Sequence, residues 1–131
     1  MRTKPCLTLE DANRAIAAAK SEAAKNQWAV AIAVVDDSGV LLHLERMDGA
    51  TAATPETAAL KARTAAFSRS PTKTAEDMVK DRPSLISLPG RVPVQGGLPI
   101  FYHGECVGAI GVSGVKSQQD EQVAQAGLAG I

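Results

Sequence analysis

Gly108-Ala109-Ile110-Gly111-Val112-Ser113-Gly114 is the stretch whose reading decides the fold of this chain. It is an apolar, β-prone run that closes on small residues and is followed by helix-like sequence. A second tract has the same design: Val34-Val35-Asp36-Asp37-Ser38-Gly39, running on to Glu45-Arg46-Met47-Asp48-Gly49-Ala50. Upstream of it, Ala29 to Val35 is almost continuously apolar, which predicts a strand covered on both faces. Asp37-Ser38-Gly39 supplies hairpin turn chemistry. The return strand, Val40 to Arg46, alternates: Val40, Leu42 and Leu44 share one face, while Leu41, His43 and Glu45 share the other. Leu98 to His103 and Glu105 to Val112 read as a second hairpin across Gly104.

Helical patterns fill most of the remainder. Residues 8 to 25 read as an amphipathic helix with Thr8 as cap and Asp11 at the capping-box position; Leu9, Ala12, Ile16, Ala19 and Ala23 recur on one face. Thr54-Pro55-Glu56 reads as a helix start, with a capping hydroxyl, an early proline and an acid near the positive end of the dipole. That helix runs to about Ser68 with Ala58, Ala62, Ala65 and Ala66 on a small-residue face, and Ser70-Pro71 breaks it. Thr74 with Asp77 opens a short helix through Met78 and Val79, and Ser117 with Asp120 opens a last one carrying Val123, Ala126 and Leu128. Residues 81 to 99 carry four prolines, Pro83, Pro89, Pro93 and Pro99, with Gly90, Gly96 and Gly97. A loop that long in a compact domain is more often functional or disordered than idle. The order predicts one domain over residues 1–131, an α+β sandwich with a largely antiparallel sheet flanked by helices.

Composition excludes several function classes. Lys+Arg 14 against Asp+Glu 14 leaves no charge excess to favour nucleic acid, an anionic membrane or a polyanionic substrate. Aromatic residues make up 3% of the chain, too few for base-stacking platforms or for enclosing a large flat cofactor within one subunit. Cys6 and Cys106 cannot build a disulfide framework or a complete zinc site, and they read as reduced thiols in a cytoplasmic protein. No stretch is apolar for long enough to span a bilayer. Alanine and glycine dominate the apolar fraction, and such small side chains bury little area each, which makes burial between subunits an expectation.

The candidate functional residues are few. His43 and His103 are the only histidines; imidazole suits haem iron or acid–base work, and each equally reads as a partly solvated strand residue. Neither belongs to an HxxxH or HxH pair, so a zinc centre within one subunit is not expected. The planar fork of Arg46 can hold a carboxylate, with Asp48 as either its ion-pair partner or a turn acceptor. Lys61 reads as an ordinary solvated lysine or as a carboxylate anchor beside a pocket. Gly96-Gly97-Leu98-Pro99 and Gly111-Val112-Ser113-Gly114 permit close backbone approach, and amides near the helix start at Ser117 can face an anion. Neither tract matches a phosphate loop or GxGxxG. Tyr102 and Ser113 are hydrogen-bond donors. No serine lies in a G-x-S-x-G elbow.

Taken together, the Glu45-Arg46-Met47-Asp48-Gly49-Ala50 tract, the Lys61-Ala62 pair and the two glycine tracts resemble the GlcG/HbpS family, which is haem-degrading-domain-like and includes a domain of PduO-type cobalamin adenosyltransferases. The resemblance runs from the Thr8 helix to Asp120-Glu121. It implies a profilin-like three-layer fold around a five-stranded sheet, homo-oligomers, and haem or a related tetrapyrrole at a surface or subunit interface. His43 and His103 are then the candidate iron ligands, with Lys61, Gly97 and Ser113 as further cofactor contacts; axial ligation varies in the family, so no position is transferred. A second reading is a cytoplasmic enzyme on a small carboxylated metabolite, in which Arg46 or Lys61 holds the carboxylate and Asp36, Asp48, His43 or Tyr102 moves protons. A third is a non-catalytic, self-assembling accessory protein.

Overall fold

In the computed structural model, which describes residues 1–131, the elements follow the order α1 (Leu9–Lys25), β1 (Ala31–Asp36), β2 (Leu41–Arg46), α2 (Thr54–Ser68), α3 (Thr72–Asp81), a 3-10 turn (Pro83–Ser87), β3 (Gly97–Tyr102), β4 (Glu105–Ser113) and α4 (Ser117–Leu128). The sheet order is β2-β1-β4-β3, and every neighbouring pair is antiparallel. The sheet therefore has four strands and not five. The expected fifth strand has no sequence left to form it: residues 81 to 96 go into the 3-10 turn and an extended loop, where prolines remove ladder donors.

Alternation along the two central strands creates two cores. Ile32, Val34, Ile110 and Val112 face α1 and α4 and pack with Ala12, Ile16 and Val123. Ala31, Ala33, Val35 and Ala109 face α2 and meet Ala58, Ala62, Ala65 and Ala66. The result is three layers, with α1 and α4 on one side of the sheet and α2 on the other. The second core consists almost entirely of alanine, so its cohesion comes from close backbone approach more than from large side chains. Gly111 and Gly97 make that approach possible. A Cβ added at Gly111 would collide with the Ala58 carbonyl oxygen and the Ala62 amide nitrogen, and one added at Gly97 would collide with the Lys61 carbonyl oxygen.

Local expectations are met at some positions and corrected at others. The Thr8–Asp11 capping box is present in both directions, but Leu9 is exposed and Ala15 is buried in its place. Thr54 does not cap α2; its hydroxyl donates to the Thr51 carbonyl at 2.8 Å, and the helix has no side-chain cap. The third helix begins at Thr72, directly after Pro71 and without a side-chain cap; Asp77 pairs with Lys73 at 2.9 Å and does not serve as a helix-start acid for Thr74. In α4, Ala124 and Gly127 are buried with Val123, while Ala126 is only partly covered.

The alternation on β2 is broken by a bulge: His43 pairs with Val34, but Leu41 pairs with Val35, so Leu42 is the extra residue. Leu42 therefore packs toward α1 and α4 while Leu44 packs toward α2. His43 points away from Leu44, as the alternation requires, but shares its face with Leu42.

Gly111→Ala forces α2 off the sheet, and the expected cost is about 3 kcal/mol, at the upper end for overpacking. Gly104→Ala places its methyl where nothing lies within 4 Å, at φ 79°, and should cost only about 1 kcal/mol for the left-handed backbone. Urea unfolding of both variants checks the ranking.

Candidate functional site

One groove of about 720 Å³ opens on the α1 and α4 side of the sheet, against β3. Its walls come from three separated parts of the chain: Pro5, Cys6 and Leu7 before α1, Ile100 to Tyr102 of β3, and Leu128 and Ile131 at the C-terminal end. The first wall is tied in place. Lys4 pairs with Asp37 of the β1–β2 turn, Arg2 approaches Glu105 at 3.8 Å, and Leu7 lies over Gly108, where any Cβ would strike it. Hydrogen bonding by Lys4 holds the Asp37 carboxyl below its usual value. β3 is an edge strand, so its Phe101 and Tyr102 have no further strand beside them, and both are exposed (53% and 56%). Polar character in the groove comes from Asp11 and Arg14, which pair with each other. Thr8's amide and hydroxyl, joined by Arg14, hold the Asp11 carboxyl low.

His103 stands at this end of the molecule. It occupies the β3–β4 turn at φ 49°, and its ring meets that of Tyr102 edge-on with centroids 4.2 Å apart. The exposed imidazole is thus held next to a groove-lining phenol. His43 is in a different place. Its Nδ1 hydrogen-bonds Asn13 Oδ1 of α1, and its Nε2 lies 3.4 Å from Glu45. Strands β2 and β3 occupy opposite edges of the sheet, three strand spacings of about 4.8 Å apart. The two histidines of one chain cannot ligate the same iron.

The other candidates do not converge on the groove. Lys61 is 2% exposed, which corrects the solvated reading. Its ammonium donates to Asp120 Oδ2 and to the Val112 carbonyl, both at 3.0 Å. Asp120 also accepts from the Val115 amide at 3.1 Å, and no buried side-chain N or O atom lacks a partner. Burial pushes the Asp120 carboxyl above its ordinary value, against the opposing pull of Lys61 and the Val115 amide. Lys61 therefore joins α2 to β4 and α4 from inside, with its donors directed inward. Gly97 lies under the same helix, its amide donating to the Thr72 hydroxyl at 2.8 Å.

Asp36 uses one carboxylate oxygen to accept from the Ser38 and Val40 amides, both at 2.9 Å, and so fixes the hairpin turn. Arg46 and Ser113 share a row of the sheet through Ala31, at the end of β4 remote from His103. Arg46 and Asp48 do not form an ion pair with each other, since neither takes part in any salt bridge. Of the expected site residues, only Tyr102 and His103 come together at the groove. Sequence reasoning missed Leu7, Phe101, Leu128 and Ile131, and the one local signal was an aromatic pair, Phe101-Tyr102, ending an edge strand.

The fold and groove define a class: a three-layer α+β sandwich with an apolar cleft along one sheet edge. The chain belongs to the family described as "Haem degrading protein HbpS-like", whose model matches residues 7–129. Protein GlcG of Escherichia coli (strain K12) is 44% identical over 114 residues, 86% of this chain and 85% of that protein. A double-mutant form of Streptomyces reticuli HbpS superposes with a TM-score of 0.94 at 37% identity, covering 98% of this chain and 89% of that one. The crystal structure of a PduOC:haem complex superposes at 0.89 with 27% identity, covering 97% and 96%. No helix is long and apolar enough to cross a membrane.

Asp120→Ala leaves the Lys61 ammonium buried without its counter-charge and should cost about 3–5 kcal/mol. The double variant Lys61→Met/Asp120→Leu should recover most of that loss. Denaturant unfolding of the single and double variants checks both values.

Proposed function

We propose that this protein binds haem, or a related tetrapyrrole, in the β3 groove, with His103 as the iron ligand. The observation that carries this reading is the juxtaposition of an apolar cleft of about 720 Å³ with an exposed imidazole packed on the cleft's own Tyr102. The size is within the range of small-molecule and cofactor sites. Phe101 and Tyr102 offer aromatic surface for a flat macrocycle, and the aliphatic walls offer apolar burial. An open cleft covers one side of such a ligand, which suits a chain with 3% aromatic residues and leaves the outer side for another copy of the protein. Exposed Met78, Ile86 and Leu88 add apolar surface that self-association would cover. The haem complex of the related PduOC supports the ligand class. In this reading the protein is a single-domain, cytoplasmic homo-oligomer whose bound haem supplies iron-centred ligand or electron chemistry.

Titration with hemin, followed in the Soret region, tests the reading. The wild-type protein should give a saturable, stoichiometric shift. His103→Ala should change the position of the band and weaken binding at least about tenfold, a loss of roughly 1.4 kcal/mol. His43→Ala, whose ring is already held by Asn13, should leave the band unchanged. A non-saturating shift, or a wild-type spectrum in His103→Ala, would overturn the assignment.

A further inference from the structure

A second concavity, of about 350 Å³, lies between the β1–β2 turn and α2. Val35, Ala59 and Leu60 give it apolar lining, and Gly39, Glu56 and Arg63 line it as well. Arg63 has a companion. Its Cζ lies 4.9 Å from the centre of the Phe67 ring, and the Cζ of Arg91 lies 5.4 Å from the same centre. Neither guanidinium has a carboxylate within 4 Å.

A hydrogen bond ties the Arg91 loop to α2 next to Arg63. The amide of Val92 donates to the hydroxyl of buried Thr64 at 2.8 Å, and Arg91 and Arg63 are the residues immediately before these two. Gly90 brings its backbone against Arg63, since a Cβ there would meet Arg63 Cζ at 3.5 Å. Gly39 joins the pocket to the cluster: a Cβ added there would reach Phe67 at 2.8 Å and Arg63 Cγ at 3.0 Å. Pocket wall, aromatic ring and two cations are therefore contiguous.

We propose that this pocket is a binding site for a small organic acid bearing a hydroxyl or amino group. Arg63 lines the pocket and Arg91 lies on the same aromatic ring beside it, so an anion next to Arg63 meets positive charge that no carboxylate of the chain neutralises. The guanidinium fork matches carboxylate geometry. The apolar lining takes the carbon body, the volume lies at the small end of the range for small-molecule sites, and Glu56 accepts from the ligand's donor. The site is separate from the β3 groove and does not depend on the haem reading.

NMR titration of 15N-labelled protein tests the proposal, with lactate and malate as probes, inorganic phosphate as a bare oxyanion and methyl lactate as an uncharged control. At least one of the two acids should give saturable shifts centred on the Ser38, Gly39 and Gly90 amides, and the ester should not. Arg63→Gln and Arg91→Gln should each weaken that binding at least about tenfold; Arg91 lies in a loop, so its replacement leaves α2 intact. The absence of saturable shifts with both acids would overturn the proposal. So would unchanged affinity in both variants, or phosphate binding at least as tightly as either acid.

Discussion

The close seating of α2 on the sheet is the constraint on which the rest of the molecule depends. Ala58 and Ala62 meet β4 at Gly111, and Lys61 meets β3 at Gly97, with backbone atoms where side chains would normally stand. Such contact gains many small dispersion terms and tolerates no added volume. It also traps Lys61. A lysine in the middle of an alanine face has no route to water once the helix is this close, and a buried ammonium requires a counter-charge. Asp120 supplies it from the first turn of α4, so the packing of one layer positions an element of the opposite layer.

From that arrangement follows a division of the two faces. The α2 side is dense and internally satisfied at Lys61, and a concavity opens on it at the β1–β2 turn, beside Arg63, Phe67 and Arg91. The opposite side carries the larger aliphatic residues under α1 and α4. There the sheet extends beyond its helical cover at β3, and the segment before α1 crosses to form the missing wall. The groove is thus a consequence of an edge strand that is only partly covered.

Much of the fold was legible in the sequence because its signals are local. The Thr8–Asp11 capping box, the Ser70-Pro71 break and the two apolar hairpins each rest on neighbouring residues. The resemblance carried by Glu45-Arg46-Met47-Asp48-Gly49-Ala50 and the glycine tracts led to the family that the comparisons show. The bulge at Leu42 was not legible, since an uninterrupted alternating pattern looks the same with or without an extra residue. Nor was the burial of Lys61, whose partner is 59 residues away. The candidate site was legible only in part: Tyr102 and His103 adjoin the groove, while its other walls come from both ends of the chain.

The central claim is that a tetrapyrrole occupies the β3 groove with its iron at His103. The most direct measurement is paramagnetic broadening of amide NMR signals in the protein loaded with ferric haem, referenced to the zinc-porphyrin form. The account predicts loss of signal over Phe101 to Gly104 and at Cys6 and Leu7, with Leu41 to Glu45 retained. Broadening centred on His43 and its β2 neighbours, with the β3–β4 turn unaffected, would contradict it.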